Sequence, residues 1–519
     1  MNSFGRTALF TGVLVLSSVA WAGTRGFVMA AAIAKATLAE PLTRTTPPWF
    51  DEAKLGIIIH WNAASIPAFA PVTTVRALSN DNKRNSQSDP LWDLRKLPYA
   101  EMYQQVMMIP GSATARYHAE HYGTMPYDGF VTQFRDQMIP GWDARAWATL
   151  FARAGARYVV LTTKTEDGFL LWPSAHRNPH KEGWQSQRDV VGDLATAVRA
   201  EGLRFGTYYS GGWDWTFGGL APGELGQTPV TEEYRAYVDA HWRELIERYR
   251  PDVMWNDYAY PGGADSRPGK LDPTVKKHIE DLFRFYLARV PDGVINNRFD
   301  TASQNNLATA AQTADKLYTD FVTPESTIEP NQEPPERLKK VKIKWEANRG
   351  IGRSYGYNAV EDETSYMSPD DLVHLFVDVV ARGGNLLINV GPMSTGEIPW
   401  LQARPLLELG WWLRTNGEAI YGTHSWIRIG GITGEGLEVR YTTAKDAVFA
   451  ILLGTPKTRT VELDLRLDPQ TTVALQGWGG NLKWTATATG VRVELPLLLD
   501  ARPAWSLRFS PQAGVHPSL

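Results

Sequence analysis

Cysteine does not occur anywhere in the 519 residues. Disulfides, zinc–thiolate centres and cysteine nucleophiles are thereby excluded, and a chain without cross-links must rely on a large core. Charge of one sign is also scarce. The 53 basic and 56 acidic residues leave a net charge of −3 with no basic block, which argues against nucleic acid or an anionic membrane surface as the main partner. The G-x-x-x-x-G-K-[ST] phosphate loop, the G-x-S-x-G nucleophile elbow and the H-E-x-x-H metal pair are all missing. His118 and His121 stand only three apart in His118-Ala119-Glu120-His121, a spacing read as an ordinary surface or packing helix. No His/carboxylate cluster suggests a metal site, and no cofactor is expected. There is no internal repeat.

Long apolar runs are confined to the N-terminus. Arg6 precedes the apolar stretch Ala8–Ala20, and Ala20-Trp21-Ala22 is a small-x-small cleavage site. Residues 1–22 therefore read as a signal peptide, because the run is shorter than the ~20 residues a spanning helix needs. The expectation is an exported chain, in a bacterial periplasm or outside the cell, with no membrane span after processing. Nothing in the sequence fixes an oligomeric state.

Between residues 40 and 424, apolar strand-like runs alternate with helical periods. The runs are Leu55–His60, Tyr158–Lys164, Leu203–Ser210, Val253–Asp257, Val294–Arg298, Leu317–Thr323, Ile343–Glu346 and Asn385–Val390. Continuous apolar runs are the mark of parallel strands covered on both faces. In the helix expected over Thr231–Tyr249, Thr231 caps and Glu232 and Glu233 occupy the first turn. In the one over Ser368–Arg382, Ser368 caps, Pro369 opens and Gly383 stops. Eight such units predict an α/β fold, a (β/α)8 TIM-like barrel. From residue 425 to 519 the period becomes two: Val461, Leu463, Leu465 and Leu467 alternate with polar residues, as do Trp505, Leu507 and Phe509. This predicts a C-terminal antiparallel β-sandwich with one face wet.

Chemistry in such a barrel belongs to the C-terminal strand ends. These ends carry His60-Trp61, Lys164-Thr165-Glu166-Asp167, Tyr208-Tyr209-Ser210, Trp255-Asn256-Asp257, Asn296-Asn297-Arg298, Asp320 with Glu325 shortly after, and Trp345-Glu346. A rim of carboxylates, aromatics, one Arg and one His suits a neutral polyol: rings stack on sugar faces, polar groups bind hydroxyls, and a carboxylate pair serves the glycosidic bond.

In order along the chain stand Trp49-Phe50-Asp51-Glu52-Ala53-Lys54-Leu55-Gly56 through His60-Trp61, Tyr99-Ala100-Glu101, Ala154-Gly155-Ala156-Arg157-Tyr158 through Asp167-Gly168-Phe169, Arg188-Asp189, Phe205-Gly206 through Trp215, Pro251-Asp252 through Asp257, and Gly383-Gly384-Asn385 through Gly391-Pro392. Over roughly residues 47–425 this resembles the α-L-fucosidases of glycoside hydrolase family twenty-nine, which also carry a trailing β domain. The resemblance implies a retaining exo-hydrolase that releases terminal α-L-fucose from a fucosylated oligosaccharide or glycoconjugate. Asp257 matches the nucleophile and Glu325 best matches the acid/base, with Glu346 the second choice. Glu346 has an alternative role as a partner orienting Arg298 or a hydroxyl. His60, Glu101, Tyr208, Trp255 and Arg298 match sugar-binding positions.

Four positions depart from the family pattern. Thr165-Glu166 stand where two histidines are usual, Asn62 where glycine is, and Met102 where tryptophan is. Thr165 and Glu166 remain substrate-binding candidates, but a carboxyl does not replace an imidazole. Two alternatives follow: a hydrolase for a related L-sugar such as an α-L-galactoside, or a non-catalytic sugar-binding barrel.

Overall fold

The computed structural model describes residues 44–72, 94–218, 229, 231–262, 271–299, 317–324, 344–496 and 499–518. The signal-peptide segment and Glu325 lie outside them. From Thr45 onward the chain is one compact unit.

Eight parallel strands follow in sequence: β1 (Leu55–Ile59), β2 (Tyr158–Lys164), β3 (Arg204–Ser210), β4 (Val253–Asp257), β5 (Val294–Ile295), β6 (Phe321–Val322), β7 (Lys344–Gly350) and β8 (Asn385–Val390). Their order is β5-β4-β3-β2-β1-β8-β7-β6, and a single parallel bridge from Asn296 to Phe321 links the two edges. The (β/α)8 barrel expected from the sequence is therefore present, nearly closed. β5 and β6 are shorter than the expected Val294–Arg298 and Leu317–Thr323. The reason is side-chain chemistry. The Asn296 amide bonds the backbone N–H and C=O of Asn256 at 3.1 and 2.9 Å, and the Asp320 carboxylate accepts Ile295 N–H at 2.9 Å. Polar side chains thus supply what the ladder would otherwise provide.

The barrel interior follows the two-residue period of a strand. Ile58, Tyr158, Val160, Tyr208, Val253, Trp255, Val294, Phe321 and Leu387 share one buried cluster, with Phe50 of the helix Pro48–Ala53 among them. On β4, Val253 and Trp255 point inward, so Asp257, two residues on, points inward at the mouth. The outer helices are set by their caps. Thr231 Oγ1 accepts Tyr234 N–H for helix Glu232–Tyr249. Ser368 Oγ accepts Asp371 N–H for helix Pro369–Ala381, which ends at Gly383 with φ +85°, a conformation that favours glycine.

After helix Trp400–Asn416 the chain turns to β structure. A six-stranded antiparallel sheet faces a three-stranded one. Val439, Val448, Ala450, Leu507 and Phe509 of the first and Val461, Leu463, Val491 and Val493 of the second close one shared core. This is the expected sandwich, with the alternating residues inside. It is fastened to the barrel by polar contacts: Arg440 pairs with Asp378 at 2.5 Å, and Trp412 donates to Ala504 O at 2.9 Å. No helix among the described residues is long and apolar enough to cross a membrane.

Candidate active site

Asp257 ends β4, and among the described residues its carboxylate is met by three donors. Arg298 Nη1 and Tyr258 N–H reach Oδ1 at 2.9 Å each, and Tyr208 OH reaches Oδ2 at 2.9 Å. The pair with Arg298 is shielded from water: the side chains are 10% and 4% exposed. Arg298 is in turn fixed. Its Nε donates to Thr323 Oγ1 at 2.8 Å, and Thr323 donates to Asn297 Oδ1. Its guanidinium lies 4.6 Å from the Trp255 ring centre. Trp255 stacks on Tyr208 with ring centres 5.2 Å apart.

The backbone at Asp257 is held as firmly. Gly211 and Gly212, just past β3, both donate to Asp257 O at 3.1 Å. A side chain at Gly212 would sit 1.6 Å from Tyr258 O, so only glycine permits this approach. Tyr258 and Ala259 follow with positive φ, 57° and 69°, and Asn256 Nδ2 braces this turn by donating to Ala259 O and Arg298 O. Two consecutive left-handed non-glycine residues store strain, which marks a constrained site. The Tyr258 ring stacks on Trp213 at 4.0 Å.

His60 follows β1, its ring 5.5 Å from Tyr208 and 5.2 Å from Tyr355. Asn389 Nδ2 donates to Tyr355 O at 2.6 Å, so its Oδ1 is the end that accepts from His60 Nδ1 at 2.6 Å. That leaves His60 Nε2 as an acceptor. Burial lowers the His60 pKa to about 4, against the opposing effects of Asn389 and the Asp257 charge, so the ring is neutral at pH 7. Glu101 is buried, accepting Gly356 N–H at 2.7 Å and Ser354 Oγ–H at 3.1 Å. Burial raises its pKa, with these donors opposing. Asp257, Tyr208, His60 and Tyr355 are thus linked contact by contact, and Glu101 bonds the residues on either side of Tyr355.

Glu346 sits lower, fully buried. It accepts from Tyr158 OH and, at 3.0 Å, from Trp255 Nε1. Burial raises its pKa to about 7, opposed by those hydrogen bonds and by the charges of Arg298 and Lys344. One oxygen is engaged by Tyr158 and the other by Trp255, so Glu346 orients the Trp255 ring.

Two of the departures meet: Asn62 Nδ2 donates to Thr165 Oγ1 at 3.2 Å, and Thr165 donates to Asp167 Oδ1 at 2.9 Å. Asp167 also accepts from Tyr127 OH. Thr165 therefore belongs to a local scaffold. Met102 packs with Leu97, Val106 and Trp215. His118 uses both ring nitrogens, on Tyr103 OH and Met125 O, as a packing helix implies, and the described residues hold no cluster suited to a metal.

Sequence reasoning missed Asn389, the Gly211-Gly212 pair and Lys164. Asn389 was visible as the one polar break within Leu-Leu-Ile-Asn-Val. Lys164 is fully buried against Asp214 at 3.2 Å and donates to Ser210 O at 2.7 Å. It ties the end of β2 to the loop after β3. Burial lowers its pKa, with Asp214 opposing.

The α-L-fucosidase family model matches residues 28–418, and the model of the α-L-fucosidase C-terminal domain matches 436–510. The chain belongs to the α-L-fucosidase family. Among its relatives, an α-L-fucosidase of Branchiostoma floridae is 30% identical over 484 residues, covering 90% of this chain and 93% of the relative. The Homo sapiens tissue α-L-fucosidase is 28% identical, with 90% of each chain covered. A Thermotoga maritima α-fucosidase in complex with a mechanism-based inhibitor superposes with a TM-score of 0.74 at 36% identity, covering 90% of this chain and 97% of that one. The same enzyme in complex with fucose gives 0.73 at 35%, with the same coverage. As a member of this family the chain is a glycosidase.

Proposed function

We propose that this chain is an exported, retaining exo-α-L-fucosidase that removes terminal fucose from oligosaccharides or glycoconjugates, with Asp257 as nucleophile and Glu325 as acid/base. The observation that carries the reading is the setting of Asp257: an inward carboxylate at the C-terminal mouth of the barrel, faced by three donors, on a backbone clamped by Gly211 and Gly212. Its oxygen attacks the anomeric carbon, the glycosidic bond breaks, and the leaving oxygen takes the proton of Glu325. In the second half Glu325 removes a proton from water, the water oxygen bonds the same carbon, and the ester to Asp257 breaks. Two displacements restore the configuration, and the carboxyls need to lie about 5–5.5 Å apart.

Glu325 is two residues past Thr323, the residue that holds Arg298 against Asp257. Glu346 is less suited to proton transfer at the glycosidic oxygen, because Tyr158 and Trp255 already occupy it. His60, Glu101 and Arg298 serve the sugar hydroxyls, and Trp255 with Tyr208 the ring face. Export is supported by Arg6, the Ala8–Ala20 run and Ala20-Trp21-Ala22.

The test follows hydrolysis of an aryl α-L-fucoside by proton NMR. The α-anomer should appear first; β-fucose as the first product overturns the double displacement. With Glu325→Ala, added azide should restore release of the aryl group and yield the α-fucosyl azide. A variant with unaltered turnover and no azide product removes Glu325 from its role.

A further inference from the structure

Glu166 lies two residues past the end of β2, in a place the mechanism above does not use. It is 3% exposed, and its backbone carbonyl is fixed by Trp215 N–H at 2.8 Å. No side chain among the described residues hydrogen-bonds its carboxyl; its own backbone N–H does. The other acids around it are committed. Asp257 is held by Arg298, Tyr208 and Tyr258, and Glu101 by Gly356 and Ser354. Asp167 is held by Thr165, Tyr127 and Phe169 N–H. The ammonium of Lys164, two residues before it, is turned to Asp214, Ser210 O and Trp213 O. Glu166 therefore keeps a carboxyl that no side chain among the described residues occupies, among acids that are each held by partners.

We propose that Glu166 is a specificity-determining residue of this site, donating a hydrogen bond from a neutral carboxyl to a ring hydroxyl of the bound L-sugar. This rests on the reading that the site takes a terminal L-fucosyl group, and it names the group that recognises it. A carboxylate only accepts, whereas a carboxylic acid also donates. The surroundings keep the acid form. Burial raises the Glu166 pKa to about 8, and the charges of Asp257 on β4, Glu101 on the turn before helix Tyr103–Val106 and Asp167 on its own loop act in the same direction. Its own N–H opposes them. Tyr208 on β3, Tyr127 of helix Tyr127–Gln133 and Tyr234 of helix Glu232–Tyr249 also face it, and each is shifted to hold its own proton. His60 is neutral, and Lys164 is the cation that couples to it. A donor at this position is lost when pH rises through about 8, because the anion neither donates nor tolerates Asp257 and Glu101 alongside.

The experiment is calorimetric titration of L-fucose into the full chain from pH 6 to 9.5, for wild type, Glu166→Gln and Glu166→Ala. Wild-type affinity should be level to pH 7 and fall toward tenfold per pH unit above 8, since one proton must be retained for binding. Glu166→Gln keeps a neutral donor, so its affinity should stay level over the whole range at a tenth or more of the wild-type value. Glu166→Ala should bind about ten- to a hundredfold more weakly at pH 7. If Glu166→Gln keeps the wild-type alkaline fall, or Glu166→Ala binds as wild type does, the proposal is overturned. A purely structural role would weaken binding without moving the fall. Binding is read without turnover, so the two readings separate. If L-galactose binds with the same alkaline fall and L-fucose does not bind, Glu166 keeps its role and the fucose reading fails. A chain binding neither sugar overturns both.

Discussion

Glu462 and Arg492 pair between neighbouring strands of the three-stranded sheet at 2.6 Å with about half of each side chain in water, 43% and 51% exposed. Asp257 and Arg298 pair at the barrel mouth at 2.9 Å with a tenth or less exposed. The first pair is screened, holds two long side chains in one geometry, and contributes about 0–1 kcal/mol. The second sits where water cannot compensate a lost partner, and breaking it costs about 3–5 kcal/mol. The same contrast runs through both regions. In the sandwich, strands Thr460–Leu463 and Val491–Glu494 send their polar residues outward at every second position. The barrel mouth buries Glu101, Glu166, Asp167, Asp257, Arg298 and Glu346 together. Such a concentration costs stability and is the means by which a site sets charge and proton occupancy.

The contrast yields a ranked set of expectations. The largest effect belongs to Asp257→Gly, which should lower kcat/KM on an aryl α-L-fucoside by at least about 10⁴-fold with little change in far-UV circular dichroism. An active variant would erase the distinction between the regions. Arg298→Met leaves the carboxylate without its cation and should cost about 10²–10⁴-fold in kcat/KM, the equivalent of the buried-pair figure. The same substitution at Arg492 should change kcat/KM by less than twofold.

Glu346→Gln isolates the burial of an acid. The amide can accept from Trp255 Nε1 and donate to the Tyr158 oxygen, so both contacts survive. In the wild type the folded chain keeps a proton up to about pH 7 that an unfolded glutamate releases near 4.5. Stability from this group is therefore full below about pH 4.5 and declines as pH rises to 7. Urea midpoints at pH 5 and pH 8 should differ less in the variant, by the equivalent of about 1–3 kcal/mol. Equal pH dependence would contradict the shift. The smallest effect belongs to Arg492→Ala, which should alter unfolding free energy by less than about 1 kcal/mol; a larger loss would mean the sandwich is not the solvated counterpart it is taken to be.

How much of this was legible in the sequence follows from the range of each interaction. The sandwich core reads directly from Val461, Leu463, Val491 and Val493, because a two-residue period is local. β2, β4 and β8 read to the residue, because both faces of each are buried. β5 and β6 came out shorter than read, because Asn296 and Asp320 replace backbone pairing with side-chain bonds that join residues 40 and 25 positions apart. Asp257, His60, Glu101, Tyr208 and Arg298 were named from strand ends and resemblance, and the structure brings them together. Their supports were not legible. Asn389 selects the proton position of His60 across 329 residues, and the Asn62–Thr165 bond joins two departures from the family pattern that stand 103 residues apart. Neither contact leaves a periodic trace. Glu325 lies outside the described residues, so its place rests on the sequence.

The central claim is that Asp257 forms the covalent bond to the sugar. It is tested by incubating the chain with 2-deoxy-2-fluoro-α-L-fucosyl fluoride, digesting with protease and sequencing the labelled peptide by mass spectrometry. The account expects a single fluorofucosyl adduct on Asp257. An adduct on Glu166, Glu101 or Glu346, or rapid defluorination with no adduct on Asp257 under conditions that trap the intermediate, would contradict it.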